Sequence, residues 1–127
     1  MNIENAEISS TALGVKHTDH GILSFGIFTE YDGGGQSYGQ LVLDTYDAEK
    51  KERVPTDLAA GLLLAVDAVF GVDWEDLKGQ HCRVARDKDY GPILAIGHFL
   101  KDEWLWYDET ANEFRTGKLK EVPHEAR

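Results

Sequence analysis

The sequence predicts an α+β fold, in which an antiparallel β-sheet packs on one main α-helix plus a short helix. Segments with alternating apolar and polar residues occur both before and after a single stretch of helical periodicity, and this order is typical of that class. The 127 residues have the size of one domain, covering residues 1–127, and a hydrophobic content of 42% is enough to form a core.

The first half of the chain predicts strands joined by turns. Residues 7–16 are short and mixed, and we interpret them as an edge strand. Residues 22–31 ("ILSFGIFTEY") and 36–46 ("QSYGQLVLDTY") are rich in β-branched and aromatic residues, so the glycines at 32–35 ("DGGG") predict a hairpin. Three glycines exceed what a tight turn needs, which indicates a flexible tip or a close approach of the backbone. Residues 47–55 are expected to form a charged loop.

One segment has the periodicity of a helix and predicts it over residues 57–70. Thr56 is placed as its N-cap, and Gly71 follows as the residue that ends it. Residues 72–79 ("VDWEDLKG") predict a second, short helical turn. The apolar positions that recur at helical spacing are Leu58, Leu62, Val66, Val69 and Phe70.

The second half of the chain returns to strand patterns. Residues 80–87 alternate, so that Cys82, Val84 and Arg86 are expected on one face of a strand and their neighbours on the other. After a turn at 88–92, residues 93–100 predict another strand, and an aromatic segment follows. The tail from residue 110 is polar and is expected to be ordered only in part.

The charge of the chain limits its partners. The formal net charge is −10, from 23 acidic and 13 basic side chains. This balance argues against binding of a nucleic-acid polymer or an anionic membrane surface, both of which need clustered Lys and Arg. A small anion can still bind to a few arginines in one pocket, because distant charges are screened over about 10 Å.

The single cysteine and the N-terminus indicate the compartment. Cys82 has no possible intrachain disulfide partner, so a reducing cytoplasm is expected. The first ten residues are polar and acidic, unlike a signal peptide, and no apolar run approaches the length of a membrane span.

The sequence does not predict an enzyme, a metal site or a cofactor. His17 and His20 have HxxH spacing, but no further ligands accompany them. Cys82 lies in a predicted strand and is expected to be buried and inert. An acid–base pair could come from Glu75, Asp76, Asp102 and Glu103, although no spacing places them in a cleft. The glycine segment leads into a strand, so it is not a phosphate-binding loop before a helix.

Several side chains instead suit a planar or phosphorylated ligand. Aromatic rings can stack, arginines can bind phosphates bidentately, and Gln and His can donate directional hydrogen bonds. Each residue also has an ordinary alternative role in the core or on the surface, and His98, in an otherwise apolar strand, is equally compatible with the core and with a pocket. The predicted ligand-binding residues are Tyr90, His98, Arg115, Arg86, Gln36 and Tyr38.

Four segments together resemble a known family. They are "HGILSFGI", "YDGGGQSYGQLVLD", "VFGVDWEDLKGQHCRV" and "AIGHFLKDEWL", and the resemblance covers roughly residues 13–106. It is to the phage Thoeris anti-defence sponge proteins of the first described type. The resemblance implies a protein that is not an enzyme and that sequesters a cyclic ADP-ribose signal, or also cyclic oligonucleotides, without cleaving it. It further implies a homo-oligomer, a dimer or a trimer of dimers, with pockets between subunits, acting in the host bacterial cytoplasm.

The resemblance also implies roles for particular residues. Tyr90 would stack on adenine, Arg115 would meet the pyrophosphate, and His98 would face the ligand. The sequence departs from the family pattern in having His98 where Asn is frequent and Gln40 where a second Gly is common. The identity of the cyclic nucleotide therefore stays open. Two alternatives also stay open: a phage interaction module without a small ligand, and a nucleotide hydrolase that uses Asp102 or Glu103.

Overall fold

A computed structural model describes residues 1–119, and it confirms the α+β class, with antiparallel strands and one α-helix. Seven strands form the main sheet and two form a separate ribbon. A 3₁₀ turn at Trp74–Asp76 follows the helix, where the short helix is expected. The strands are β1 (Asn2–Gly14), β2 (Ser24–Tyr31), β3 (Gly34–Val42), β4 (Asp44–Asp47), β5 (Glu52–Pro55), β6 (His81–Arg86), β7 (Ala95–His98), β8 (Trp104–Asp108) and β9 (Glu113–Gly117), and the helix is α1 (Leu58–Phe70).

Strand β1 lies inside the sheet, so its prediction as an edge strand over 7–16 is wrong. The strand order is β3-β2-β1-β6-β7-β8-β9. The first half of β1, from Asn2 to Glu7, pairs with β6, and the second half, from Glu7 to Gly14, pairs with β2. A bulge between Ile8 and Ser10 interrupts the pairing with β2. Each half therefore pairs with a different neighbour, and strand pairs of this kind cannot be read from local alternation.

Three further segments differ from their predictions. The strand expected over 36–46 ends at Val42, and residues 44–46 belong to β4 in the separate ribbon. The charged loop expected at 47–55 contributes to the ribbon β4–β5, in which Asp44 and Arg53 form a salt bridge of 2.7 Å. The tail expected to be ordered only in part contains β9, which pairs with β8 along its length. Residues 120–127 of that predicted tail lie outside the described residues.

The main sheet curls so that its two ends meet across the core. The hydroxyl of Tyr38 in β3 donates a hydrogen bond to the carbonyl of Leu105 in β8 at 3.1 Å. The rings of Phe25 in β2 and Phe114 in β9 are 5.5 Å apart, in an edge-to-face arrangement. Helix α1 packs against β7, β8 and β9 and covers this core from one side.

Helix α1 has the bounds that its periodicity predicts to within one residue. Leu62 and Val66 are buried on its inner face, and Gly71 ends it with a φ of 70° and an N–H bonded to the carbonyl of Asp67. The residue in the N-cap position is Asp57 rather than Thr56. The Thr56 hydroxyl still accepts the N–H of the first helical residue, at 3.2 Å, and donates to a carbonyl of the preceding segment.

A second cluster lies on the outer face of the sheet. Trp104 and Trp106 of β8 are buried there, although they point away from α1. Arg83 lies over the ring of Trp104 at 5.0 Å, and Arg115 lies over the ring of Trp106 at 5.5 Å. These arginine–indole contacts have the geometry of cation–π pairs, and they help to explain how outward-facing rings become buried.

Candidate binding site

The glycine-rich tip forms the turn between β2 and β3. Only Gly33 in this run has a positive φ, of 93°, in the turn that joins paired residues Tyr31 and Gly34. A Cβ added at Gly35 would lie 3.0 Å from the carbonyl oxygen of Thr29 in the adjacent strand. The close backbone approach expected from the three glycines therefore occurs at Gly35, between the two strands of the hairpin. Gln36 is the next residue along β3.

Gln36 joins the hairpin to the far end of β6. Its amide oxygen accepts a hydrogen bond of 2.8 Å from Nε of Arg86, and its amide nitrogen donates to the carbonyl of Gly91 at 2.7 Å. The Tyr31 hydroxyl also donates to this amide oxygen, at 3.4 Å. One glutamine thus fixes both the last residue of β6 and the loop that follows it.

Arg86 is the buried centre of this cluster. The alternation of β6 turns Arg86 to the same face as Cys82 and Val84, as predicted, and its side chain is 3% exposed. Nη1 bonds to Glu4 at 3.1 Å, and the guanidinium carbon lies 4.9 Å from the centre of the Tyr31 ring. Nη2 is buried and has no hydrogen-bond partner among residues 1–119. An unpaired donor of this kind costs about 1–3 kcal/mol, so it requires an explanation.

A cleft of about 320 Å³, which we call the Arg86 cleft, is lined in part by Arg86. Its lining includes the two aromatic residues Tyr31 and Tyr90 and three carboxylates besides Arg86. The amide of Asn2 donates to Asp89 and so joins the start of β1 to the loop after β6. The carboxylates that line the cleft are Glu4, Asp32 and Asp89.

Tyr90 stands at the rim of the Arg86 cleft and is 99% exposed. Its φ is 62°, in the left-handed region that bulky residues seldom adopt and that costs about 1–2 kcal/mol. No burial of its ring offsets this cost. The hydrogen bond from Gln36 to the carbonyl of Gly91 holds the next residue in place. An exposed aromatic ring on a strained backbone is a feature that clusters at binding sites.

The fold thus brings three of the six predicted residues to one place. Gln36, Arg86 and Tyr90 belong to β3, β6 and the loop after β6. Gln36 bonds to Arg86 and to the carbonyl of Gly91, the residue after Tyr90, and Arg86 and Tyr90 line the same cleft. Their role in ligand binding stays a prediction. Because they lie close together, this prediction now refers to one place on the surface.

Tyr38 lies in the core, so the structure does not place it with these three. It is 4% exposed and packs edge-on against Phe25. Burial also raises the pKa of its hydroxyl well above the usual value of 10.0. Its single hydroxyl donates to Leu105, which connects opposite ends of the curled sheet. A ligand could not reach this ring without opening the core.

Arg115 and His98 are likewise apart from the Arg86 cleft. Arg115 belongs to β9, which is separated from β6 by two strands, and its Nε is 3.9 Å from a carboxylate oxygen of Asp108. His98 pairs with Cys82, at the end of β6 opposite to Arg86. The imidazole Nδ1 of His98 accepts the N–H groups of two following residues at 3.0 Å. His98 is half-buried, and its imidazole caps the turn between β7 and β8. This role differs from the two considered for it, a core position and a ligand pocket.

The acidic residues of the hydrolase alternative have structural partners. Asp102 accepts hydrogen bonds of 2.9 Å from the indole N–H of Trp104 and from the N–H of Leu119. Glu103 accepts one of 2.7 Å from Lys118. Cys82 is buried, and this burial raises the pKa of its thiol to about 12, which leaves it without nucleophilic thiolate near neutral pH. Residues 1–119 contain no group of three His, Cys, Asp or Glu side chains arranged to hold a metal ion.

Sequence reasoning missed the three carboxylates of this site, Glu4, Asp32 and Asp89. Glu4 lies in a polar N-terminal segment whose local pattern does not reveal that β1 pairs with β6. Asp89 belonged to a turn without a recognised role. The signal that could have found Glu4 is its position two residues before buried Ala6, which places it on the same face of β1. There it pairs with Val84, two residues before Arg86.

Comparison with known proteins adds no relative: no family model, curated protein or solved structure matches the chain. Among residues 1–119, no helix has both the length and the apolar character needed to cross a membrane.

Proposed function

We propose that the protein binds a cyclic adenine nucleotide and sequesters it without cleaving it. The ligand is a cyclic ADP-ribose isomer or a related cyclic oligonucleotide used as an immune signal. The observation that carries the proposal is that Tyr90 and Arg86 line one cleft, while Gln36, up to 54 positions away in the chain, hydrogen-bonds Arg86 and the carbonyl of Gly91 next to Tyr90. The family resemblance supports the class of ligand.

The arrangement suits capture better than turnover. Tyr90 offers a whole ring face for stacking on adenine, and stacking of this kind is worth about 1–3 kcal/mol per base. Arg86 lines the cleft and is held by Gln36 through a hydrogen bond that is made before a ligand arrives, which lowers the entropy lost on binding. The carboxylates considered for hydrolysis are engaged in hydrogen bonds elsewhere.

The proposal includes a homo-oligomer in the host bacterial cytoplasm. A ring that is exposed on both faces, as Tyr90 is, can stack on a base with one face and contact a second subunit with the other. Enclosure between two subunits would bury more of the ligand than one open cleft can. Nanomolar capture requires about −12 kcal/mol, and such burial is one way to reach it.

The test is a calorimetric titration with cyclic ADP-ribose isomers and with cyclic di- and trinucleotides. The complex is then denatured by heat, and the released ligand is identified by mass spectrometry. Recovery of the intact ligand supports sequestration. Recovery of a cleaved product would establish the hydrolase instead, and the absence of binding across the panel would favour an interaction module.

Variants of Tyr90 locate the site. Tyr90→Gly should weaken binding at least tenfold, while the free energy of unfolding rises by up to about 1 kcal/mol because the left-handed backbone is relieved. Tyr46→Ala is the matched control, since Tyr46 is also exposed but belongs to the separate ribbon. Equal affinities of both variants and the unaltered protein would remove Tyr90 from the site.

A further inference from the structure

We infer that the Arg86 cleft receives the uncharged nucleoside part of its ligand and that the phosphates lie outside it. This inference rests on the proposed function and specifies which end of the nucleotide enters. Two independent features of the cleft lead to it: the balance of charge along its walls, and the combination of one unpaired donor with several acceptors.

The charge of the lining opposes a phosphate. Arg86 brings one positive charge, and it already pairs with Glu4. Asp32 and Asp89 add two negative charges, so the cleft has a net formal charge of −2, from one cation and three carboxylates. Arg115, which the resemblance places on the pyrophosphate, is on β9, and two strands separate β9 from β6. A phosphate in the cleft would therefore face more repulsion than attraction.

The hydrogen-bonding groups match a nucleoside. A ribose has two adjacent hydroxyls that donate and accept, and adenine has an amino group beside a ring nitrogen that accepts. Carboxylates are established acceptors for ribose hydroxyls, a role that Asp32 or Asp89 could fill here. The unpaired Nη2 of Arg86 is a donor that a ligand oxygen or ring nitrogen could satisfy. Tyr90 supplies the stacking surface beside these groups.

A salt effect follows from this orientation. A phosphate held just outside an acidic cleft is repelled at low ionic strength, and salt weakens this repulsion because it shortens the screening length to about 4 Å at 500 mM. The affinity for a nucleotide should therefore rise with salt. Nucleotide binding by basic pockets shows the opposite trend, since salt weakens attraction. The affinity for an uncharged nucleoside should hardly change.

The experiment compares adenosine with adenosine monophosphate by NMR titration of the whole chain, which measures even millimolar affinities. At 50 mM NaCl, adenosine should bind at least as tightly as the monophosphate, with shifts at the amides of Gly33, Tyr90 and Gly91. At 500 mM NaCl, the monophosphate should gain about threefold while adenosine stays constant. Tighter binding of the monophosphate by tenfold at low salt would overturn the inference.

A charge variant provides the second measurement. Asp32→Asn removes one carboxylate at an exposed turn, so it should raise the affinity for the monophosphate relative to adenosine by about fivefold. Glu49→Gln, an equal charge change on the separate ribbon, is the control and should leave this ratio unchanged. An unchanged ratio in Asp32→Asn would overturn the inference.

The closing panel adds cyclic ADP-ribose to both compounds. Binding of cyclic ADP-ribose without any binding of adenosine at the cleft would overturn this inference and leave the proposed function standing. The absence of binding by all three compounds would overturn both.

Discussion

Removal of Glu4 should destabilise the protein more than removal of Arg86, although the two residues form one salt bridge. Arg86 is 3% exposed and Glu4 is 36% exposed, so only the arginine is truly buried. Glu4→Ala leaves a buried guanidinium without its ion-pair partner. Arg86→Met removes the buried charge and leaves a carboxylate that water can reach.

The magnitudes come from these contacts. Two unit charges at this separation attract by roughly 4–5 kcal/mol at an effective dielectric constant of about 20, and the exposure of Glu4 reduces this to about 2–3 kcal/mol. Arg86→Met loses hydrogen bonds to Gln36 and Glu4, worth about 1 kcal/mol each or somewhat more. The substitution also removes the unpaired Nη2, which should raise the free energy of unfolding by about 1–3 kcal/mol. Arg86→Met should therefore lower the free energy of unfolding by about 1 kcal/mol or less.

The assay is urea unfolding followed by tryptophan fluorescence, since Trp104 and Trp106 are buried in the folded protein. Glu30→Ala, which truncates an exposed glutamate on β2, is the control and should change the free energy of unfolding by less than about 0.5 kcal/mol. The double variant of Glu4 and Arg86 should be no less stable than Glu4→Ala alone. A greater loss in Arg86→Met than in Glu4→Ala would refute the reasoning, because it would show that the guanidinium stabilises the fold on its own.

Four further predictions concern other parts of the molecule. Gly97→Ala should lower the free energy of unfolding by about 2 kcal/mol, because its Cβ would lie 2.5 Å from an indole ring. Gly61 lies inside the helix, and a Cβ added there meets no atom within 4 Å. Gly61→Ala should therefore raise the free energy of unfolding by up to about 1 kcal/mol. Urea unfolding measures both changes. The hydrogen bond from Arg53 lowers the pKa of Asp44 below 3.8, so its contribution to stability is complete above that pH and is lost as the pH falls further. Asp44→Asn should flatten this acid decline in thermal unfolding below pH 4. Cys82 should react with a thiol reagent at pH 8 only as fast as the protein unfolds, and rapid labelling of the folded chain would contradict its burial.

The elements that the sequence predicts well are those determined by local pattern. The helix at Leu58–Phe70 follows from apolar residues three and four positions apart, and the hairpin of β2 and β3 follows from turn residues between two alternating segments. The position of β1 in the sheet depends on partners about 80 residues away in the chain, so alternation within β1 could not reveal it. The ribbon of β4 and β5 is short and charged, and its composition resembles that of a loop.

The candidate site shows the same division between local and distant causes. The alternation of β6 was enough to turn Arg86 inward, and residue type was enough to select Gln36 as a hydrogen-bonding group. Residue type failed for Tyr38, because an aromatic ring on a strand serves a core as readily as a pocket, and only the curl of the sheet decides between them.

The cost of the Arg86 cleft to the fold argues that it is more than a structural contact. A well-packed methionine at position 86 would avoid a buried charge and an unpaired donor, and a glycine at position 90 would avoid a left-handed tyrosine. Both unfavourable features occur at the same cleft. Within residues 1–119, no packing contact offsets the backbone strain of Tyr90, which is 99% exposed. Folding alone gives no reason for Tyr90 at this position. A ligand that stacks on Tyr90 and accepts the free N–H of Arg86 would account for both with one binding event.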